Sequence, residues 1–363
     1  MAKSIMELDK NFSVQAISKN DEFDFYDVRK KPFKIYGLYN PETEKVFKRM
    51  PDDVAKTVSE GVEILRHRTA GGRIRFKTNS KRIVLKAFMD DINFLPHMPF
   101  AGSAGFDFYT KEDSGYIYRA IALPAGWGND ICNEVSKNGG YESIVNLNDD
   151  KMKDITINLP SYNNLNGLYI GIEKNSTLDF GDEYRDILPV VYYGSSITQG
   201  GCASRPGNNY PNILSRRYDM DFYNLGFSGC AKGEEEIAHY IAGLEMSCFV
   251  YAYDNNAPTS EHLRNTHEKM YNIIREKNPD VPVIFKSRPK VHLTDEESEM
   301  KSIIYNTYKK AKEAGHNVYF VDGQEIFNLL GKDSGSVDGI HPNDLGFMCI
   351  AEAIDKVFKG IYK

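Results

Sequence analysis

A serine at the end of an apolar run, and an aspartate and histidine close together far downstream, are the residues of this chain best suited to covalent acyl chemistry. The serine stands in Tyr193-Gly194-Ser195-Ser196-Ile197-Thr198-Gln199-Gly200-Gly201, and the pair in Asp338-Gly339-Ile340-His341-Pro342. A serine hydroxyl is a weak nucleophile until a base takes its proton, and a histidine acting as that base needs a carboxylate to hold its ring. Asp338 and His341, three residues apart, can supply both from one loop or helix turn. Attack on an ester carbonyl builds negative charge on its oxygen, where each fixed N–H donor is worth roughly 3–4 kcal/mol. Gly229 permits close backbone approach, and the amide of Asn256 offers two N–H donors without a competing charge. The order Ser, Asp, His is that of the α/β-hydrolases. Their G-x-S-x-G elbow is missing, because Thr198 stands where the second glycine would be.

The elements needed to position these residues are readable in the second half. Short apolar runs at 190–193, 222–225, 248–253, 281–286 and 318–321 read as strands, with helical patterns between them. A helix at 234–244 carries Ile237, Ile241 and Leu244 at helical spacing, and one at 261–276 follows a cap at Ser260. Thr294 and Glu297 form a capping-box pattern ahead of a long helix that stops near Gly315. The last helix begins near Asn343 and is expected to place Leu345, Met348, Ala351 and Ile354 on one face. Five strands alternating with helices imply a doubly wound parallel sheet in three α/β/α layers over 187–363. Ser196, Gly229 and Asn256 each follow a strand, so they gather at the C-terminal sheet edge where ligands of such folds bind.

The first half has period two instead. Ile74 and Phe76 alternate with Arg73, Arg75 and Lys77; Ile155, Ile157 and Leu159 alternate with Asp154, Thr156 and Asn158; Leu168, Ile170 and Ile172 close the run. Turn clusters at Gly71-Gly72, Asn129-Asp130 and Gly139-Gly140 punctuate these strands. The expectation is an all-β sandwich or jelly roll over 1–180, joined by a charged linker at 179–186.

Four segments together resemble the conserved blocks of the SGNH (GDSL-type) hydrolases. The Ser196 segment resembles block I, Asn224-Leu225-Gly226-Phe227-Ser228-Gly229 block II, Asp254-Asn255-Asn256 block III and Asp338-Gly339-Ile340-His341 block V. The resemblance implies a Ser196–His341–Asp338 triad and an oxyanion hole built by Ser196, Gly229 and Asn256. Two departures stand out. Ser195 replaces the usual aspartate of G-D-S, and block III lacks the G-x-N-D form, which leaves Asn255 as the alternative donor. The loop Gly200-Gly201-Cys202-Ala203-Ser204-Arg205-Pro206-Gly207, and a jelly roll ahead of the catalytic domain, resemble bacterial carbohydrate esterases. That likeness implies a serine esterase removing O-acetyl groups from oligosaccharides such as acetylated manno- or xylo-oligosaccharides. An SGNH lipase or thioesterase for longer acyl esters is the alternative, and a non-catalytic carbohydrate-binding protein a third. The polar Gln199, Ser204, Arg205, Asn208 and Lys232 disfavour the second, and the complete residue set disfavours the third.

Composition narrows the remaining classes. The 363 residues suit two domains, and 41% hydrophobic content is ample for two cores. A net charge of −6 with mixed signs argues against a nucleic-acid partner. No apolar run approaches the ~20 residues of a membrane span, and residues 1–10 lack the character of a signal peptide. The odd and unpatterned cysteines, Cys132, Cys202, Cys230, Cys248 and Cys349, read as reduced thiols in a cytoplasmic protein. Cys230, beside Gly229, reads as a packing residue rather than a nucleophile. His262 and His267 are five apart, no metal motif occurs, and no Gly-rich phosphate loop precedes a helix. The expectation is therefore no metal and no cofactor, with an oligomer compatible but uncalled for. Trp127, flanked by Gly126 and Gly128, and Arg205, nine residues after Ser196, are the candidate sugar contacts.

Overall fold

The computed structural model describes residues 20–90, 92–125, 130–331, 333 and 335–362. The first half forms strands β1 (Phe23–Asp27), β2 (Lys34–Tyr36), β3 (Arg73–Thr78), β4 (Arg82–Phe88), β5 (Phe106–Glu112), β6 (Gly115–Ala122), β7 (Gly140–Asn146), β8 (Lys153–Asn158), β9 (Gly167–Glu173) and β10 (Leu178–Asp179). They make two antiparallel sheets, ordered β1-β9-β4-β7 and β10-β3-β8-β5-β6, with β2 against β3. Both sheets send alternate side chains into one core: Ile83, Leu85, Ile170 and Ile172 from one, Ile74, Phe76, Phe106, Phe108, Ile155 and Ile157 from the other. That is the sandwich implied by the period of two.

The second half contains β11 (Val190–Gly194), β12 (Phe222–Gly226), β13 (Cys248–Ala252), β14 (Val283–Lys286) and β15 (Val318–Val321). All pair in parallel, in the order β12-β11-β13-β14-β15. The strands read as unbroken apolar runs because both faces are covered. Val191, Tyr193, Leu225, Phe249 and Tyr251 meet the helices Glu235–Ala242, Ser260–Lys277 and Asp295–Glu313. Val190, Tyr192, Phe222 and Val250 meet Tyr210–Tyr218 and Asp344–Ile361 on the other side. This is a three-layer α/β/α sheet. The neighbours of β11 on its two sides, β12 and β13, both follow it in sequence, so the topological switch lies at its C-terminal end.

Several local expectations shift. The helix at 260–277 is capped by Thr259, whose side chain accepts from His262 N, and not by Ser260. The Thr294–Glu297 capping box is present. The last helix buries Phe347, Ile350, Ala351, Ile354 and Phe358, while Leu345 and Met348 are 64% and 45% exposed. The expected stripe was rotated because its apolar residues outnumber the positions the sheet can cover. His267, buried, stacks on Tyr251 at 4.5 Å and bonds Thr307, and burial pushes its pKa down to about 3. It is a core histidine.

A feature that alternation alone does not convey concerns β3 and β8. Their polar positions are not a solvent face: Arg73 and Arg75 are 1% and 0% exposed. They face the second half across a polar seam. Strand β12 is the edge of the parallel sheet, and an edge strand leaves alternate carbonyls unpaired. Here arginines take them. Arg73 donates to Phe222 O at 3.2 Å, and Arg49 donates to Asn224 O at 2.9 Å and Gly226 O at 2.6 Å. The Arg73 guanidinium also stacks on Phe222 at 3.8 Å and pairs with Asp221. Arg75 lies between Asp154 and Asp219, 3.4 and 3.6 Å away. The helices Asp52–Val58 and Glu60–Leu65 belong to the first half in sequence but pack Ala55 and Val62 into the core of the second. The two halves are thereby interlocked next to the strand ends that carry the chemistry.

Candidate active site

Ser196 opens a single helical turn, Ser196–Gln199, directly after β11. Ser195, which stands where G-D-S has its aspartate, is the N-cap: its hydroxyl accepts from Ile197 N at 3.3 Å. Glycine is required at two strand ends. A Cβ on Gly194 would stand 2.3 Å from Thr198 Oγ1, and one on Gly226 2.3 Å from Gln199 N. These close approaches bring the end of β12 against the nucleophile turn. Ser196 is 6% exposed.

His341 connects this turn to a separate loop. Its Nε2 lies 2.9 Å from Ser196 Oγ, and its Nδ1 lies 2.7 Å from Asp338 Oδ2. A turn of 338–341, not a helix, holds the pair: Asp338 Oδ1 accepts from Ile340 N at 3.0 Å and His341 N at 2.7 Å. Partial burial alone would raise the Asp338 pKa, but these bonds and the imidazole outweigh it and hold it at about 2. Asp338 is therefore ionised throughout the neutral range and fixes Nδ1 as the protonated nitrogen, leaving Nε2 to accept.

The oxyanion candidates connect to the nucleophile turn through the loop after β12, where Ser228 N donates to Gln199. Gly229 has φ +68°, a left-handed conformation that suits glycine. Among the described residues, neither the Ser196 nor the Gly229 backbone N–H has an acceptor. Asn256 Nδ2 donates to Phe227 O at 2.9 Å, which puts this amide, with a second N–H to spare, against the block II loop. The buried Asp254 holds that turn by accepting from Arg288 N at 2.8 Å.

Two family models match the chain. Residues 188–359 match the model of the GDSL-like lipase/acylhydrolase family, and residues 23–178 match that of the N-terminus of SGNH hydrolase-type esterases. The chain belongs to the SGNH hydrolases of the GDSL type. A search of curated proteins found no significant match. Among solved structures, a protein of Bacteroides ovatus ATCC 8483 described as a GDSL-like lipase superposes on the hydrolase with TM-score 0.81 and 27% identity, covering 93% of this chain and 98% of its own. The salicylyl-acyltransferase SsfX3 of a tetracycline biosynthetic pathway gives TM-score 0.72 at 16% identity, covering 95% and 99%. An acetyl xylan esterase of the rumen bacterium Butyrivibrio proteoclasticus gives 0.56 at 10%, covering 94% and 100%. Carboxylic ester hydrolysis is the activity that this family and fold support.

The sandwich reaches the hydrolase site directly, which no sequence spacing had indicated. Tyr162 OH donates to Ser196 O at 3.3 Å, and Ser161 O accepts from Gln199 Nε2 at 3.1 Å. Gln199 Oε1 in turn accepts from Ser228 N at 3.0 Å, so one buried glutamine ties the sandwich, the nucleophile turn and the Gly229 loop together. Two further side chains border the triad. His97 Nε2 is 4.0 Å from Asp338 Oδ2, and Cys202 is a buried thiol whose pKa is pushed up to about 12 by burial and by the Asp338 charge. Arg205 has the contacts of a bridge between the halves: it stacks on Tyr118 at 3.9 Å and lies 3.6 Å from Asp107. Trp127 lies outside the described residues.

Proposed function

We propose that the hydrolase is a serine esterase that removes O-acetyl groups from oligosaccharides. The observation that carries this reading is the continuous Ser196–His341–Asp338 hydrogen-bond chain at the switch point of the sheet. Ser196 Oγ attacks the acetyl carbonyl while His341 Nε2 takes its proton. The N–H groups of Ser196, Gly229 and Asn256 receive the oxyanion. Collapse expels the sugar oxygen, which takes the proton from His341. A water then repeats the sequence, deprotonated by His341, and releases acetate.

Replacing Asn256 by Ala should lower kcat by roughly 10²–10³ with little change in KM, because this bond strengthens only as charge develops. The same loss from Asn255→Ala, with Asn256→Ala near normal, would move the donor by one residue.

Support for a sugar substrate comes from the sandwich. An open groove of about 540 Å³ is lined by the exposed rings of Phe88 and Tyr169 with Asp27, Arg29, Asp90 and Asn166. Aromatic platforms beside paired polar groups suit a pyranose; Asn166 lines this groove, and Tyr162, four residues earlier, reaches Ser196 O. The fold likeness to an acetyl xylan esterase points the same way. We also place the enzyme in the cytoplasm, acting on imported oligosaccharides, since all five cysteines are thiols, as a reducing compartment requires.

A second reading, longer acyl esters, draws on Phe94, Val337 and Ile340, which are exposed near His97 and His341. The two readings part on a series of aryl esters. With no apolar groove, each added methylene forfeits about 0.8 kcal/mol of burial, so kcat/KM should be highest for acetyl and decline through butyryl to octanoyl. A maximum at octanoyl would establish the longer-chain reading. Tyr169→Ala should impair acetylated oligosaccharides more than an aryl acetate, and equal losses on both would remove the groove from substrate binding.

A further inference from the structure

Beside His341 lie two side chains, His97 and Cys202, for which ester hydrolysis has no use. His97, Cys202 and His341 come from three separate segments, yet one ligand atom from each lies within 4.8 Å of the other two. The His97 and His341 rings are 5.5 Å apart. Cys202 has φ +71°, a left-handed conformation that is unfavourable for a non-glycine residue and is found preferentially at ligand and active sites. Two imidazoles and a thiol form a ligand set that selects zinc and other thiophilic ions over magnesium or calcium.

We propose that His97, Cys202 and His341 form a binding site for zinc or a similar thiophilic divalent cation, and that the bound ion switches the esterase off. Zinc bonds of ~2.0–2.1 Å to nitrogen and ~2.3 Å to sulfur place tetrahedral ligand atoms roughly 3.3–3.8 Å apart, so the cluster must contract by about 1 Å. His97 has that freedom: its side chain is exposed, on the loop between β4 and the helix Phe100–Ala104. Cys202 binds as thiolate, its proton passing to solvent. Water or Asp338 can fill the fourth position. Coordination through His341 Nε2 takes the lone pair that accepts the Ser196 proton, and coordination through Nδ1 displaces Asp338. Either stops the reaction. Metal binding stands on the cluster alone, whereas the inhibition rests on the triad proposed above.

The test uses the full chain, Co²⁺ as an optical probe and Zn²⁺ as inhibitor. Co²⁺ should produce the near-ultraviolet charge-transfer band of a cobalt–thiolate bond, lost in Cys202→Ser. Zn²⁺ should inhibit aryl acetate hydrolysis reversibly, and a chelator should restore it. His97→Ala, which leaves the triad intact, should raise the half-inhibitory Zn²⁺ concentration by at least the roughly 10- to 100-fold that loss of even an outer-sphere partner costs. Ser196→Ala should keep the cobalt band, so the metal site is read even where turnover is absent. A band that survives Cys202→Ser, or Zn²⁺ inhibition unchanged in His97→Ala, would overturn the site. A normal band with undiminished hydrolysis at saturating Zn²⁺ would overturn the switch.

Discussion

Ser196→Ala should lower kcat for an aryl acetate by on the order of 10⁴–10⁶ while leaving the fold intact. Two features make the effect large. The hydroxyl is aligned with a base, 2.9 Å from His341 Nε2, whereas burial and the Asp338 charge push the pKa of the Cys202 thiol up to about 12. Cys202 is therefore a poor substitute for the missing hydroxyl. The substitution removes one oxygen from a residue whose helical turn is capped by Ser195 and anchored through Gln199, so structure should be unaffected. Circular dichroism and thermal unfolding check the fold, and active-site titration with an aryl acetate checks the chemistry. Near-normal turnover by a folded variant would remove Ser196 from the mechanism.

Asp338→Asn should cost about 10⁴ in kcat, the loss seen when an amide replaces the orienting carboxylate of a triad. The amide can donate to His341 Nδ1 and so favours the tautomer that carries its proton on Nε2, where a base is needed. The backbone bonds from Ile340 and His341 would persist on the remaining oxygen, so the 338–341 turn should hold. The wild-type pH profile provides an independent check. Because Asp338 has its pKa depressed to about 2, it stays ionised as pH falls from 7 to about 3, and no loss of kcat/KM in that range comes from its protonation. The same depression contributes stability that is complete above pH ~4 and is lost as pH falls through about 2. An Asp338→Asn variant with wild-type kcat would assign the carboxylate to turn stability alone.

The legible part of this molecule was local. Apolar runs bounded by glycine set the five parallel strands, and period-two alternation set the sandwich, because each depends on side chains only a few residues apart. The same holds for the Thr294–Glu297 capping box and for Asp338 and His341, whose spacing lets one turn present both. Ser196, Gly229 and Asn256 each follow a strand by two to four residues, so a parallel sheet brings them to one edge whatever else surrounds them.

What only the tertiary structure decided is whatever depends on one segment meeting another far away in sequence. Alternation put Arg73 and Arg75 on the polar face of β3, but only packing shows what that face meets: Arg73 donates to a carbonyl of edge strand β12, and Arg75 lies beside Asp219. Leu345 and Met348 belong to an apolar helix yet face outward, since the sheet covers only the stripe through Phe347, Ile350 and Ile354. Tyr162 and His97 carry no local signal, and the partners of Gln199 and Cys202 are set only where the sandwich closes over the triad. Sequence periodicity reports which face of an element is apolar. The partner of a polar face is set by packing between elements, and in this hydrolase that packing completes the site.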